Sequence, residues 1–210
     1  MQLSNQINNI VLFFIPKLQQ QMRNLLLILI GVFCFSFYKE DEIIIWSKDR
    51  KLTWTDYKGK PQKRFAAAST VYSLGRKVLN EKDGAIVARI QAYFYCNDSW
   101  KKDDWINESV LAHEQKHFDI VELFSRKIRK QISEMTFLNF DNAVEKVDSV
   151  YRVVNKEMDI YQDKYDDETN GSMDSEGQKK WSNKINIEME TLNKFQSYTV
   201  ALQLKSSGRK

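Results

Sequence analysis

The chain has 210 residues, 42% hydrophobic and 29% charged, with 7 Gly and 2 Pro, which excludes a collagen-like, low-complexity or wholly disordered protein. Its net charge of +4 is spread over interleaved acids and bases, as in Lys101-Lys102-Asp103-Asp104, so no nucleic-acid-binding face is expected. Two cysteines cannot form a disulfide scaffold, and only two histidines occur, His113 and His117.

The first 36 residues read as a signal peptide or N-terminal anchor. Residues 25–37, LLLILIGVFCFSF, follow Arg23 and precede Lys39-Glu40-Asp41-Glu42. A membrane-spanning helix needs about 20 apolar residues, and this run is shorter. A basic start, an apolar stretch and small residues near a cut match an export signal. Met22 is an alternative start to Met1. Export to the periplasm or outside the cell is therefore expected, with membrane contact only through residues 25–38 if they are not cleaved. The remaining 174 residues, 37–210, are long enough to bury a core of their own.

Residues 43–96 have β character. Ile43–Trp46 and Leu52–Trp54 are strand candidates, and Lys58–Pro61 is a turn. Phe65–Val78 is a further strand candidate, followed by a hairpin turn at Asn80–Gly84. From Ala85 to Cys96 apolar residues alternate strictly, predicting one half-buried strand. From about Trp105 the period becomes helical. Val110, His113, His117, Val121, Phe124, Ile128, Ile132 and Met135 form one stripe. Phe140, Val144, Val147, Tyr151, Val154, Met158, Tyr161 and Tyr165 form a second. A third helix is expected from Ser175, with Ser175 and Gln178 as a capping box and Trp181, Ile185, Leu192 and Phe195 as its stripe. One domain is expected over 37–204, helical over 104–204, with a frayed tail at 205–210.

The chemistry lies in His113-Glu114-Gln115-Lys116-His117. Two histidines four residues apart on a helix face the same way and can chelate one zinc ion, while Glu114 can act as general base on a metal-bound water. Composition alone produces this motif in roughly 1 of 1,700 shuffled sequences, the false-positive check such a motif needs. Asp119 and Glu122 are candidate acceptors for an imidazole N–H. A third protein ligand must be a carboxylate, since no third histidine exists. An antiparallel helix hairpin turning near Leu138 pairs His113 with position 163 and His117 with position 159. That leaves Asp159, Asp163, Asp166, Asp167 and Glu168. One more step along the second stripe lands on Glu168, which becomes the expected ligand, with Asp166 or Asp167 behind it. Tyr161 and Tyr165 share the inward face and could polarise an oxyanion. One Zn2+ per chain is expected, although other divalent metals also accept two nitrogens and an oxygen.

LTWTDYKGKP at 52–61, HEQKHFDIVELFSRKIRK at 113–130, and YDDETNGS with the later Gln178 and Trp181 resemble a bacterial exported family, domain of unknown function 922. The resemblance spans about residues 51–183. It implies a zincin-like peptidase with zinc as cofactor. It also implies a histidine just after the YDxET segment, where this chain has Gly171.

The sequence thus predicts an α+β fold: a small antiparallel sheet followed by three long helices, zincin-like. The expected function is an exported zinc metallopeptidase acting on a peptide or protein substrate. The alternative is a non-catalytic envelope protein with a structural or vestigial metal site that binds a partner. The basic run Arg126-Lys127-Ile128-Arg129-Lys130 raises a weaker idea, contact with anionic lipid or acidic polymer.

Overall fold

The alternation from Ile86 to Cys96 makes the strand around which the domain is built. The structure, a computed structural model, describes residues 41–81 and 83–205. The expected export segment 1–36 lies outside the described residues, as does most of the expected tail. In chain order the strands are β1 (Ile43–Ile45), β2 (Ala68–Ser69), β3 (Tyr72–Asn80), β4 (Ile86–Tyr95), β5 (Trp100–Lys101), β6 (Thr136–Phe137), β7 (Thr199–Ala201) and β8 (Gln203–Leu204). The helices are α1 (Glu108–Ser133), α2 (Phe140–Thr169) and α3 (Ser175–Thr191).

β4 pairs antiparallel with β3 from Ile86 to Phe94, with Leu74 opposite Ala92. On its other side it meets β1, with Ile44 opposite Phe94, and β7, with Val200 opposite Ala88. The β3–β4 hairpin turns at Gly84, whose φ of +84° is the left-handed region that glycine enters without strain. Ile86, Ala88, Ile90, Ala92, Phe94 and Cys96 are all buried. They form the face against which α1 packs Phe118, Val121 and Ile128, with the Phe94 and Phe118 rings 5.8 Å apart. Two smaller pairings complete the sheets: β2 with β5, antiparallel, and β6 with β8, parallel. Among the described residues, no helix is long and apolar enough to cross a membrane.

Asn107 caps α1, its side chain accepting from the Val110 N–H at 3.0 Å. Asn139 caps α2 in the same way through the Asn142 N–H at 2.9 Å. α2 ends where Asn170 takes a left-handed φ of 49°.

The fold is a mixed α/β domain with three helices and small antiparallel sheets, as expected, and several local expectations change; the strand expected over Phe65–Val78, for one, is split into β2 and the longer β3. Leu52–Trp54 is not a strand. Asp56 accepts from the Thr53 N–H at 2.7 Å and from Arg50 at 2.6 Å, which curls Trp54–Asp56 into a 3-10 turn. Lys58–Pro61 is extended rather than a turn, because the Gly59 N–H is drawn onto the Ser99 carbonyl at 2.8 Å. The cap of α3 is Asp174, not Ser175; its carboxylate accepts from the Glu176 and Gly177 N–H groups at 3.0 and 3.1 Å. The chain is not helical to 204, since β7 and β8 return to fill open edges of β4 and β6. Lys205, expected in the frayed tail, donates its N–H to the Phe137 carbonyl at 2.8 Å.

Candidate metal centre

The second and third turns of α1 carry His113, Glu114 and His117, all buried. Their i, i+4 spacing brings the imidazoles edge to face, with centroids 4.7 Å apart and Nε2 atoms 3.1 Å apart. α2 runs back alongside α1 and adds Asp166, whose Oδ1 lies 3.0 Å from each Nε2. Three donor atoms therefore form a nearly equilateral triangle. Bonds of about 2.0–2.1 Å place the ligand atoms of a tetrahedral zinc site about 3.3 Å apart, so this triangle is close to one face of such a tetrahedron. Among the described residues no other His, Cys, Asp or Glu joins the three.

The outer nitrogens fix what the inner ones can do. The Gln162 Nε2 donates to the His117 carbonyl at 3.0 Å, which turns its Oε1 to His117 Nδ1 at 2.7 Å. The Gln178 Nε2 donates to the Ser109 carbonyl at 3.2 Å, and its Oε1 faces His113 Nδ1 at 3.2 Å. An amide oxygen only accepts, so each Nδ1 carries a proton and donates. Each Nε2 is then left with its lone pair aimed at the common point shared with Asp166. This is the tautomer a metal ligand requires, held by outer hydrogen bonds. The Tyr165 ring stacks on His113 at 4.7 Å and its hydroxyl donates to Gln178 Oε1 at 2.7 Å, which steadies that amide.

The charges follow from the contacts. Burial by itself would lower the His117 pKa, but the bond to Asp166 and the neighbouring Glu114 carboxylate outweigh it, and the pKa rises. Burial would likewise raise the Asp166 pKa. The two imidazoles outweigh it and hold this carboxyl well below the usual carboxylate range.

Glu114 stands outside the triangle and lines the same cavity, about 1130 Å3 in volume. One carboxylate oxygen accepts from the Thr70 N–H at 2.8 Å; no described residue engages the other. Tyr72, at the start of β3, lines this cavity as well. Burial and then the charges of Asp159, Asp166, Asp163 and Glu114 raise its pKa, so the phenol keeps its proton.

The remaining sequence candidates are placed elsewhere. Glu168 accepts from Trp181 Nε1 at 2.9 Å and faces α3, so Asp166 occupies the position expected for Glu168. A helix drifts about 20° per heptad against a strict 3.5-residue repeat, so the four heptads from Phe140 to Glu168 accumulate about 80°. The buried stripe accordingly continues Met158, Gln162, Tyr165 and Thr169. The helices also meet three residues further along α2 than equal rise predicts, because their link contains the extended strand β6 rather than a tight turn. Asp163 and Asp167 line the cavity but do not join the triangle, and Asp159 accepts from Asn155 at 3.3 Å.

Asp119 accepts from Trp46 Nε1 and Gln115 Nε2, each at 2.9 Å, and Glu122 accepts from Arg126 and Arg129. Neither touches an imidazole; both tie α1 to the sheet side. Arg126 and Arg129 are buried in that network, which removes the continuous basic face imagined for 126–130. Tyr161 donates to Glu188 at 2.9 Å, away from the centre, and Tyr165 supports Gln178 rather than an oxyanion.

Gln162, Thr70 and Tyr72 were not assigned roles from sequence, and Gln178 was expected in the capping box of the third helix rather than against His113. Gln162 had a readable signal, since it lies four residues after Met158 on the drifting stripe. Thr70 and Tyr72 come from a distant strand and had none.

No curated protein and no solved structure matches this chain. One family model does, over residues 96–173, a segment that holds the whole of α1 and the 165–172 run. It is described as a bacterial protein of unknown function, DUF922, and the resemblance read from the sequence is thereby confirmed for that segment.

Proposed function

We propose that the chain is a metal-dependent hydrolase, in its simplest form a zinc peptidase of the zincin type. The observation that carries this is the convergence of His113 Nε2, His117 Nε2 and Asp166 Oδ1 within 3.1 Å, with both outer nitrogens committed to glutamine oxygens. Two nitrogens and one carboxylate oxygen fit zinc, and the cavity side leaves room for water and substrate. When bound, zinc supplies a Lewis acid that polarises a carbonyl and acidifies water.

The protein's own groups carry the proton. The free oxygen of Glu114 accepts a proton from the attacking water as the C–O bond forms. It delivers that proton to the departing amide nitrogen as the C–N bond breaks, and the carboxylate is restored. The Thr70 N–H holds the other oxygen and fixes the carboxylate's direction. Tyr72, in place of Tyr161 and Tyr165, is the phenol that can donate to the substrate carbonyl oxygen.

The alternative, a closed structural site, needs a fourth protein ligand, and the described residues offer none within the cluster. The test is Glu114→Gln. It should retain wild-type metal content and lose peptide hydrolysis by a factor of about 100 or more. Loss of metal together with activity would remove the general-base role.

A further inference from the structure

The cavity has an uneven charge. Glu114, Asp104, Asp163, Asp166 and Asp167 line it, against a single lining cation, Arg64. The Arg64 guanidinium donates to Ser69 Oγ, on the same cavity wall, at 2.5 Å and lies over the Trp100 ring at 5.2 Å. Asp166 faces the two imidazoles. Asp104, Asp163 and Asp167 are exposed, and none of them has an ion-pair partner among the described residues. Glu114 is 94% buried by its 6% exposure, has no cation against it, and keeps one oxygen open to the cavity. With neutral histidines the lining carries a net charge of −4, and a bound divalent ion leaves −2.

The mouth adds an aromatic element. Phe65, 87% exposed, and Trp105, 47% exposed, meet edge to face at 5.6 Å on the cavity wall. Lys102 lies over Trp105 at 4.4 Å, so this ring already carries the protein's own ammonium group and the aromatic pair offers an apolar surface rather than a free cation site.

We propose that this cavity selects cationic peptides: extended chains whose lysine or arginine side chains meet Asp163 and Asp167. The inference rests on the hydrolase reading for what happens to the peptide after binding, but the selection itself is electrostatic. Carboxylates on low-dielectric walls concentrate the opposite charge, and this attraction weakens with salt.

The test uses the purified full chain and two fluorescent peptides of equal length and equal apolar content, one carrying lysines and one glutamates. Binding is read by anisotropy at several salt concentrations, with wild type and with Asp163→Asn/Asp167→Asn. The double variant keeps His113, His117 and Asp166, and elemental analysis checks that its metal content is unchanged. The lysine peptide should bind about tenfold or more tightly than the glutamate peptide at low salt. The ratio should shrink with added salt and fall to about threefold or less in the double variant. Equal binding, binding of neither peptide, or a lysine preference untouched by the double variant would overturn the proposal. The two readings fail separately. Tight lysine-peptide binding without any hydrolysis would sink the peptidase and leave the selection standing. Equal hydrolysis of both peptides would do the reverse.

Discussion

Two imidazoles and a carboxylate packed around one point are costly unless a cation or proton sits among them. In this centre Gln162 and Gln178 decide which, because they take up both Nδ1–H groups and leave Nε2 bare. Replacing Gln178 by Met, similar in length and without the amide oxygen, should weaken zinc affinity by about 10–100-fold with the fold intact. Competition against a chelator of known affinity reads this directly; unchanged affinity would mean the His113 tautomer is set by something else. The proton competes for the same lone pairs. Zinc needs neutral imidazoles, and His117 holds its proton to higher pH than an ordinary histidine. Affinity should therefore fall as pH falls, beginning above the usual histidine range near pH 6.5. Zinc titrations between about pH 8 and pH 5.5 check it, and a flat profile would contradict the assignment of both imidazoles as ligands.

At the scale of elements, the centre depends on how α3 meets α2. Gly177 lies in the first turn of α3, where an added Cβ would collide with the Glu168 carbonyl oxygen and the Asp174 carboxylate. Gly177→Ala should push α3 outward, cost about 1–3 kcal/mol in chemical denaturation, and move Gln178 off His113. Combined loss of stability and zinc affinity is expected; wild-type values for both would show that the close approach is dispensable.

The elements differ in how plainly the sequence announces them. β4 and α1 were legible because a regular apolar period runs through each of them, the alternation Ile86 to Cys96 and the stripe Val110 to Ile132, although burial in the fold extends beyond those stripes. His113, Glu114 and His117 were legible because their spacing lies within one helix. Asp166 was only one of several carboxylates: a strict heptad reading cannot carry the angular drift of a 30-residue helix. The turn at Trp54–Asp56 was missed because its alternating residues mimic a strand, while the side chain that curls it, Asp56, is held by Arg50. β7 and β8 were missed because their pairing partners lie far away in sequence.

For the whole molecule, the centre is a junction. α1 supplies His113, Glu114 and His117, α2 supplies Gln162 and Asp166, α3 supplies Gln178, and the segment before β3 supplies the Thr70 N–H that holds Glu114. The sheet side locks α1 independently, through Leu52 N–H to Gln115 Oε1 at 2.7 Å and through Asp119 to Trp46. The domain can thus keep its core when a ligand is removed, which makes ligand substitution a clean experiment. The most direct one is metal content by elemental analysis of wild type, Asp166→Ala and Glu168→Ala, each supplied with zinc and then dialysed. The geometry predicts about one zinc per chain in wild type and in Glu168→Ala, and a large loss in Asp166→Ala. No metal in wild type, or full occupancy without Asp166, would contradict the three-donor centre.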